Sequence, residues 1–331
     1  MDNSPVAAAL SDLYRPILPD LALVEDELRR VVPAANPLLA EIGDYLFLLG
    51  GKRIRPALLL LSNRLFGLPD GESVFWSAMI EVLHTASLIH DDIVDNSDRR
   101  RGQATVHARW GANITVLLGD FLYIQSILLA LRKRNYALID ILAGVTAAMI
   151  EGELVETSWS GKPDIPEPVY REILNKKTAS LFAGACRIGA ELGHATPAQS
   201  EAMEAFGRCL GMCFQIVDDW LDYAGDAGTL GKPVLSDLRE GRFTLPILRC
   251  LKRLEGEPKR RILARIESLA SDPEVGPEIL DAVRATGALA ETLEEARRSA
   301  AEAEAILRTL PESEAREALL GLIGLLLNRD K

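Results

Sequence analysis

The chain has 331 residues, of which 48% are hydrophobic and only 5% are aromatic, and its formal net charge is −11. Ala and Leu are abundant while β-branched residues are sparse, and this composition favours helices over strands. The acidic excess excludes a general nucleic-acid surface, which needs a basic excess, but it leaves room for a local basic site.

Helical periodicity runs along most of the chain, and no stretch alternates polar and apolar residues convincingly. Thr196 is predicted to cap one helix, with Pro197 in its first turn and Gln199 completing a capping box. Without a linker or repeat, the pattern predicts a single all-α domain over residues 1–331. In chain order, helices are predicted at about 21–28, 37–49, 54–66, 73–95, 112–133, 137–158, 168–192, 198–223, 243–254, 258–270, 276–285, 288–309 and 312–327.

Several features indicate a cytoplasmic protein. The N-terminus has no basic segment followed by an apolar one, as a secretion signal would. The longest apolar run, 318–327, is too short to span a bilayer, so no transmembrane segment is expected. The cysteines have no CxxC spacing and are interpreted as buried free thiols: Cys186, Cys209, Cys213 and Cys250.

Two DDxxD motifs end two of the predicted apolar helices. They consist of Asp91, Asp92 and Asp95, and of Asp218, Asp219 and Asp222. The first and last aspartates of each motif share a helix face, with Cβ atoms about 6 Å apart, and repel each other unless a cation lies between them. Mg²⁺ suits such a site because it takes one or two carboxylates and completes its shell with water and substrate phosphates. The alternative is a solvated acidic face, which is unusual at the end of an apolar helix.

Basic side chains cluster around these motifs in the sequence. Arginine grips phosphate oxygens with a bidentate fork, and a helix N-terminus also attracts phosphate. Any one of these residues alone is more often an ordinary surface residue, but together they predict two bound anions, one held through metal and one held by cations alone. The residues are Lys52, Arg53 and Arg55 in GGKRIRP, Arg99, Arg100 and Arg101, Lys176, Lys177 and Thr178, Lys232, and Arg242.

The ordered motifs resemble those of the trans-isoprenyl diphosphate synthases, also called polyprenyl synthetases. They are GGKRIRP, EVLHTASLIHDDIVDNSDRRRG, GDFLY, KKTASLF, FQIVDDWLD, GKPVLSDL and EGRFTLP, and they cover nearly the whole chain. The resemblance implies the class I isoprenoid synthase fold, a single large helical bundle around a deep central cavity, and a homodimer. It also implies condensation of isopentenyl diphosphate with an allylic diphosphate.

The resemblance assigns roles by motif position. Asp91, Asp95 and Asp218 are expected to bind Mg²⁺, about three ions per site, with Asp222 a further candidate ligand and Asp219 and Asp222 supporting the ligands. The allylic diphosphate is assigned to Arg100, Lys177, Thr178, Gln215 and Lys232, and isopentenyl diphosphate to Lys52, Arg55, His84 and Arg101. The residues assigned to catalysis itself are Asp91, Asp92, Asp95, Lys177, Asp218, Asp219 and Lys232.

The implied chemistry explains why only one diphosphate is held through metal. Neutralising the leaving diphosphate lets the allylic C–O bond ionise, the double bond of isopentenyl diphosphate attacks the cation, and a proton passes to the released diphosphate. Two residues depart from the family pattern. Leu235 stands where Gly is frequent, and Arg242 where Lys is frequent, so altered loop geometry is expected rather than lost activity.

The growing tail is expected to run down the helix that carries Asp91. Candidate chain-length residues on that helix are Leu83, Ala86 and Ser87, and on the facing helix Tyr123, Ile127 and Leu128. In the family an aromatic residue near Ala86 stops growth early, so Ala86→Phe is expected to shorten the product. Small residues leave the tunnel open and predict a long product, roughly C30–C50 with C40 favoured, of the kind that becomes a quinone side chain.

Other interpretations remain beside this one. A medium-chain synthase making farnesyl or geranylgeranyl diphosphate differs only in product length. A class I terpene cyclase has a different second motif and no need of Lys52, Arg55 and His84, and a non-catalytic partner subunit would lack one aspartate motif. A di-iron bundle would use Glu-x-x-His pairs such as Glu81–His84 and Glu191–His194. His107 and His194 are interpreted as ordinary structural or surface residues.

Overall fold

The computed structural model describes residues 5–32, 36–48, 50–67, 71–100, 102–225 and 234–328. The described chain is almost entirely helical, as predicted. Its first half contains α1 (Pro5–Leu13), α2 (Leu18–Val31), α3 (Pro37–Leu48), α4 (Ile54–Phe66), α5 (Gly71–Val94), the strands β1 (Arg99–Arg100) and β2 (Gln103–Ala104), α6 (Val106–Trp110), α7 (Ala112–Arg132) and α8 (Tyr136–Trp159).

The second half continues the bundle. It contains α9 (Glu167–Leu174), α10 (Ser180–Leu192), α11 (Pro197–Ala224), α12 (Ser236–Arg239), α13 (Leu245–Arg253), α14 (Gly256–Ser268), α15 (Gly276–Ala285), α16 (Ala288–Leu307) and α17 (Glu314–Leu327). A π-helical turn, Asn175–Ala179, joins α9 to α10, and 3₁₀ turns lie at Arg15–Ile17 and Pro273–Val275.

The sequence pattern predicted most of these helices to within a few residues. The predicted helix at 168–192 is interrupted by the π-helical turn, which apolar periodicity does not reveal. The sequence pattern did not predict α1, the antiparallel β1–β2 pair, α6 or α12. All of these except α1 are elements of two to five residues, which are too short for periodicity to show. The predicted capping box is confirmed, since Thr196 N–H donates to Gln199 Oε1 at 2.9 Å and Gln199 N–H donates to Thr196 Oγ1 at 3.4 Å.

The centre of the bundle is built around α10, which packs against α4 on one side and α11 on the other. A Cβ atom on Gly189 of α10 would lie only 2.2 Å from the carbonyl oxygen of Leu59 in α4, so the two backbones approach more closely than a larger residue allows. The surrounding core is mainly aliphatic. Cys186, Cys213 and Cys250 are buried in it without forming disulfides, whereas Cys209 is half-buried.

A buried ion-pair network joins three helices at one side of the bundle. Glu295 of α16 accepts hydrogen bonds from Arg171 of α9 and Arg249 of α13, and Arg249 also contacts Glu167 at 3.2 Å. Although burial opposes the shift, hydrogen bonds from the two arginines lower the pKa of Glu295 below its usual value. The network therefore holds α9 in place, and residues of α9 line the central cavity of the bundle.

Helix α7 is long and apolar enough to cross a membrane by length and composition alone, and one third of that segment is buried within the chain. This helix, rather than residues 318–327, is the longest apolar segment of that kind among the described residues. Large apolar side chains on its outer surface and on α8 form an exposed patch, here called the α7–α8 apolar face. It comprises Leu117, Ile124, Leu128 and Leu131 of α7, with Tyr136 at the start of α8.

Candidate active site

A cavity of about 1750 Å³ lies among the ends of α4, α5, α8, α10 and α11. Both aspartate motifs and the GGKRIRP segment contribute to its wall, although they are far apart in the chain. The predicted site residues that line it are Lys52, Arg53, Arg55, His84, Ser87, Asp91, Asp95, Arg100, Tyr123, Lys177, Thr178, Gln215, Asp218, Asp219 and Arg242. Arg101 and Lys232 lie outside the described residues.

The first aspartate motif sits where α5 ends. Asp95 N–H donates to the Asp91 carbonyl at 2.8 Å, so the helical spacing that places both side chains on one face is confirmed. Both residues line the cavity. Burial raises the pKa of Asp91 to about 7, although the ammonium group of Lys177 opposes the shift. Because burial has removed much of the water around this carboxylate, a bound cation would strongly stabilise its charged form.

Asp92 and Asp95, the other two carboxylates of the first motif, make different contacts from Asp91. Asp92 is 4% exposed and accepts a hydrogen bond from Arg100 Nε at 2.7 Å, which couples the motif to the β1 strand that follows it. Asp95 accepts from Arg242 Nη1 at 2.8 Å, and the same guanidinium donates to Asp237 at 2.8 Å. Arg242, one of the two departures from the family pattern, thus joins the first motif to the loop before α13.

The second aspartate motif ends α11, and its residues divide between two tasks. Asp218 and Asp219 line the cavity. Asp219 accepts hydrogen bonds from the Tyr170 hydroxyl and from Gln215 Nε2, the latter at 2.9 Å. Burial, together with the nearby Asp237 carboxylate, raises the pKa of Asp219 to about 8. Gln215 in turn accepts from Thr178 Oγ1 at 2.9 Å, so these predicted residues form one hydrogen-bonded chain.

Asp222 is fully buried and does not line the cavity. Its carboxylate accepts hydrogen bonds from Ser236 N–H at 3.0 Å, Ser236 Oγ at 2.7 Å and Asp237 N–H at 3.2 Å, so it caps α12. Of the two roles predicted for Asp222, these contacts fit the supporting role, in which it holds Asp237 at the cavity, rather than that of a metal ligand.

The loop that Asp222 holds contains the second departure from the family pattern. Leu235 has φ 59° and ψ 28°, the left-handed conformation that glycine adopts without strain. Its side chain is fully buried and its N–H donates to the Asp222 carbonyl at 2.8 Å. Leucine therefore takes up the backbone conformation that suits glycine, and packing offsets a strain of about 1 kcal/mol or more.

Lys177 lies among carboxylates that were not predicted from the sequence. Its ammonium contacts Glu153 at 2.6 Å and also pairs with Glu156, both on α8. The two helical segments meet closely because residue 152 is glycine, and a Cβ atom there would lie 2.7 Å from the Lys177 backbone nitrogen. Glu153, Glu156 and Tyr170 all line the cavity. Periodicity predicted that these residues lie on helices, but it could not show which face of each helix borders the cavity.

The GGKRIRP segment leads into the first turn of α4 and places Lys52 and Arg55 at the cavity wall, which His84 of α5 also lines. The Arg55 guanidinium lies over the ring of Phe182, 5.1 Å from its centroid. Arg53, between them, is directed to carboxylates of α2 and α5 and has the left-handed backbone conformation.

The predicted chain-length residues do not all reach the cavity. Ser87 and Tyr123 line it, whereas Leu83 and Ala86 are fully buried and do not. Ile127 is half-buried against the core and does not line the cavity, and Leu128 is 48% exposed on the α7–α8 apolar face. The spacing along a helix identifies the right turn but not which of two adjacent residues faces inward, and this explains the difference between Ala86 and Ser87.

The oxygen-rich wall fits a hard divalent cation. Asp91, Asp95 and Asp218 provide carboxylates from two helices. Among the side chains in the described ranges, no three His, Cys, Asp or Glu groups lie close enough to form a complete metal site by themselves. Mg²⁺ bound through one or two carboxylates and substrate phosphates needs no such complete set. A di-iron site built on Glu81 is not favoured, because that carboxylate pairs with Arg53 at 2.8 Å.

Comparison with known proteins gives a consistent result. The polyprenyl synthetase family model matches residues 36–283. Over 312 residues the chain is 36% identical to octaprenyl diphosphate synthase of Escherichia coli (strain K12), covering 94% of this chain and 96% of that protein. It is 34% identical over 313 residues to a short chain isoprenyl diphosphate synthase of Methanothermobacter thermautotrophicus, covering 93% and 96%.

A solved structure has the same fold. The polyprenyl synthase from Caulobacter crescentus, crystallised with calcium and isoprenyl diphosphate, superposes with a TM-score of 0.89 at 33% identity and covers 98% of each chain.

Proposed function

The chain belongs to the polyprenyl synthetase family, and from that premise we propose that it condenses isopentenyl diphosphate with an allylic diphosphate to give a long-chain all-trans polyprenyl diphosphate. The observation that carries the proposal is the meeting of both aspartate motifs with the GGKRIRP segment around one cavity of about 1750 Å³. We further propose that one catalytic domain spans the whole chain.

We assign the allylic diphosphate to the side of the cavity where the aspartates lie. Lys177, Thr178 and Gln215 form this side together with Arg100. Asp91, Asp95 and Asp218 would hold Mg²⁺, which when bound supplies positive charge that stabilises the leaving diphosphate. The carboxylates orient that charge, and Lys177 adds a fixed cation beside Asp91, whose pKa it lowers against the effect of burial.

We assign isopentenyl diphosphate, the second substrate, to the basic loop that leads into α4. This loop and His84 line the cavity away from the aspartates at the end of α5. Lys52, Arg55 and His84 would hold the diphosphate of isopentenyl diphosphate without metal, so this substrate is not activated to ionise. The cavity wall excludes water from the allylic cation until the double bond attacks it. The proton lost from the adduct then passes to the diphosphate released beside Lys177.

The length of the product is proposed from the cavity and from one relative. Ser87 places a small side chain in the cavity wall one helical turn before Asp91, which leaves room for a growing tail. The relative from Escherichia coli is named for a product of eight isoprene units. We therefore favour a product of roughly C30–C50, with C40 at its centre. A short-chain product is the second candidate, because a relative of nearly equal identity is named for that activity.

We propose that two copies of the chain associate through the α7–α8 apolar face. An exposed set of large apolar side chains at helical spacing is typical of an interface between subunits. Sedimentation of the wild-type chain should give the mass of a dimer, and Leu117→Glu should shift it towards the monomer. A monomeric wild-type chain at micromolar concentration would contradict this part of the proposal.

The activity is tested by incorporation of labelled isopentenyl diphosphate into farnesyl diphosphate, with and without EDTA. Asp91→Asn and Asp218→Asn should each lower kcat by at least about a hundredfold, because each removes a carboxylate that would hold Mg²⁺, whose positive charge stabilises the leaving diphosphate. Asp140→Asn is the matched control, since Asp140 is exposed on α8 and does not line the cavity. Equal activity in all three variants would contradict the assignment of the aspartates.

A further inference from the structure

The backbone at Arg53 has an unusual conformation for its residue type. Arg53 precedes the first residue of α4 and has φ 48° and ψ 37°, in the left-handed region. This conformation is strained for a residue with a side chain, so the surroundings must hold it. The turn separates Lys52 from Arg55, which are the two basic residues of the loop assigned to isopentenyl diphosphate.

The guanidinium of Arg53 is held by carboxylates from two other helices. Its Nε and Nη2 donate to the two oxygens of Glu25 in α2, at 2.5 and 2.9 Å, and its Nη1 donates to Glu81 in α5 at 2.8 Å. The side chains of Arg53 and Glu81 are only 12% and 8% exposed, whereas that of Glu25 is 34% exposed. Charge-assisted contacts in such a buried setting are stronger than those on a surface.

The preceding residue is fixed as well. The hydroxyl of Tyr14, which is 6% exposed, donates to the carbonyl oxygen of Lys52 at 2.9 Å. Two consecutive residues of the loop are thus attached to other parts of the chain, one through its carbonyl group and one through its side chain. In addition, Glu81 lies three residues before His84 on α5, so the ion pair connects the loop to the helix that carries the third basic residue.

We propose that Arg53, with Glu25 and Glu81, is a positioning device that presents Lys52, Arg55 and His84 to the diphosphate of isopentenyl diphosphate. Arg53 itself is not a ligand in this account, because one arginine and two carboxylates carry a net negative charge that repels a diphosphate. The inference rests on the proposed function, since it concerns the substrate assigned to the same cavity.

The two possible roles of Arg53 predict opposite effects of Glu25→Gln. If the ion pair positions the loop, loss of the bidentate contact should weaken isopentenyl diphosphate binding about tenfold. If Arg53 is a ligand, removing a competing carboxylate should leave binding unchanged or strengthen it. Binding is measured by calorimetry with isopentenyl diphosphate in EDTA and without primer, so that catalysis does not contribute.

Asp20→Asn is the matched control. Asp20 is also on α2, and it pairs with Arg64 of α4 at 2.8 Å, but neither residue lines the cavity. The control should bind isopentenyl diphosphate within about twofold of wild type while losing a comparable ion pair. In steady-state assays Glu25→Gln should raise KM for isopentenyl diphosphate by the same factor as its Kd, with little change in kcat or in KM for the allylic primer.

The outcomes separate this inference from the proposed function. Weaker binding in Glu25→Gln alone supports the positioning role, whereas unchanged or tighter binding, or an equal loss in both variants, overturns it. If Glu25→Gln fails to fold, Arg53→Lys is judged by the same criteria, since lysine keeps the charge but loses the fork. Failure of the wild-type chain to bind isopentenyl diphosphate or to elongate a primer would instead overturn the proposed function.

Discussion

Replacement of Ser87 by Phe should shorten the product, because this side chain lines the cavity directly below the first aspartate motif. Ser87 lies one helical turn before Asp91, which is about 6 Å along the helix axis. An extended isoprene unit advances about 5 Å, since it adds four backbone bonds of about 1.5 Å. The tail therefore reaches residue 87 after one or two units, and an aromatic ring there should limit the main product to about C15 or shorter.

The assay is chromatography of the dephosphorylated prenols formed from dimethylallyl diphosphate, a primer with a single isoprene unit, and isopentenyl diphosphate. Ser87→Ala is the control, because it removes the hydrogen bond from Ser87 Oγ to the His84 carbonyl at 2.8 Å without adding volume. It should leave the product length unchanged. A folded, active Ser87→Phe enzyme that still makes the wild-type product would refute the reasoning that bulk at this position ends elongation.

Two further substitutions test the framework around the cavity. Gly152→Ala should lower activity and reduce stability by about 1–3 kcal/mol, because the new Cβ would lie 2.7 Å from the Lys177 nitrogen. Gly144→Ala on the same helix meets nothing within 4 Å and should be neutral or slightly stabilising in thermal unfolding. Glu295→Gln should cost about 3–5 kcal/mol by leaving buried arginine charge without its carboxylate, whereas Glu294→Gln at the exposed surface should cost little. Because the folded-state pKa of Glu295 is lowered, its stabilising effect is present above the unfolded pKa and is lost as pH falls through the folded value, so the two variants should converge in acid.

Periodicity and motif spacing predicted the parts of this molecule that depend on local sequence. The boundaries of α4 and α5 and the capping box at Thr196 depend on residues within a few positions of each other. The two DDxxD motifs were likewise predicted as helix ends whose outer aspartates share a face, and for the first motif both outer aspartates do line the cavity.

Features that depend on the approach of distant segments could not be predicted in this way. The pairing of Arg53 with Glu25 and Glu81, and of Lys177 with Glu153 and Glu156, requires knowledge of which helix faces meet. Asp222 shows the same limit, since its motif position suggests a metal ligand but the fold places Ser236 and Asp237 against its carboxylate.

The most direct test of the central claim is the length of the prenol that the wild-type chain makes from farnesyl diphosphate, isopentenyl diphosphate and Mg²⁺. We predict a ladder of intermediates that ends at one long prenol, at roughly C30–C50, and no product in EDTA. A ladder that ends at C20 or below would contradict the long-chain assignment while keeping the activity. No elongation of any allylic primer in the presence of Mg²⁺ would contradict the proposed function itself.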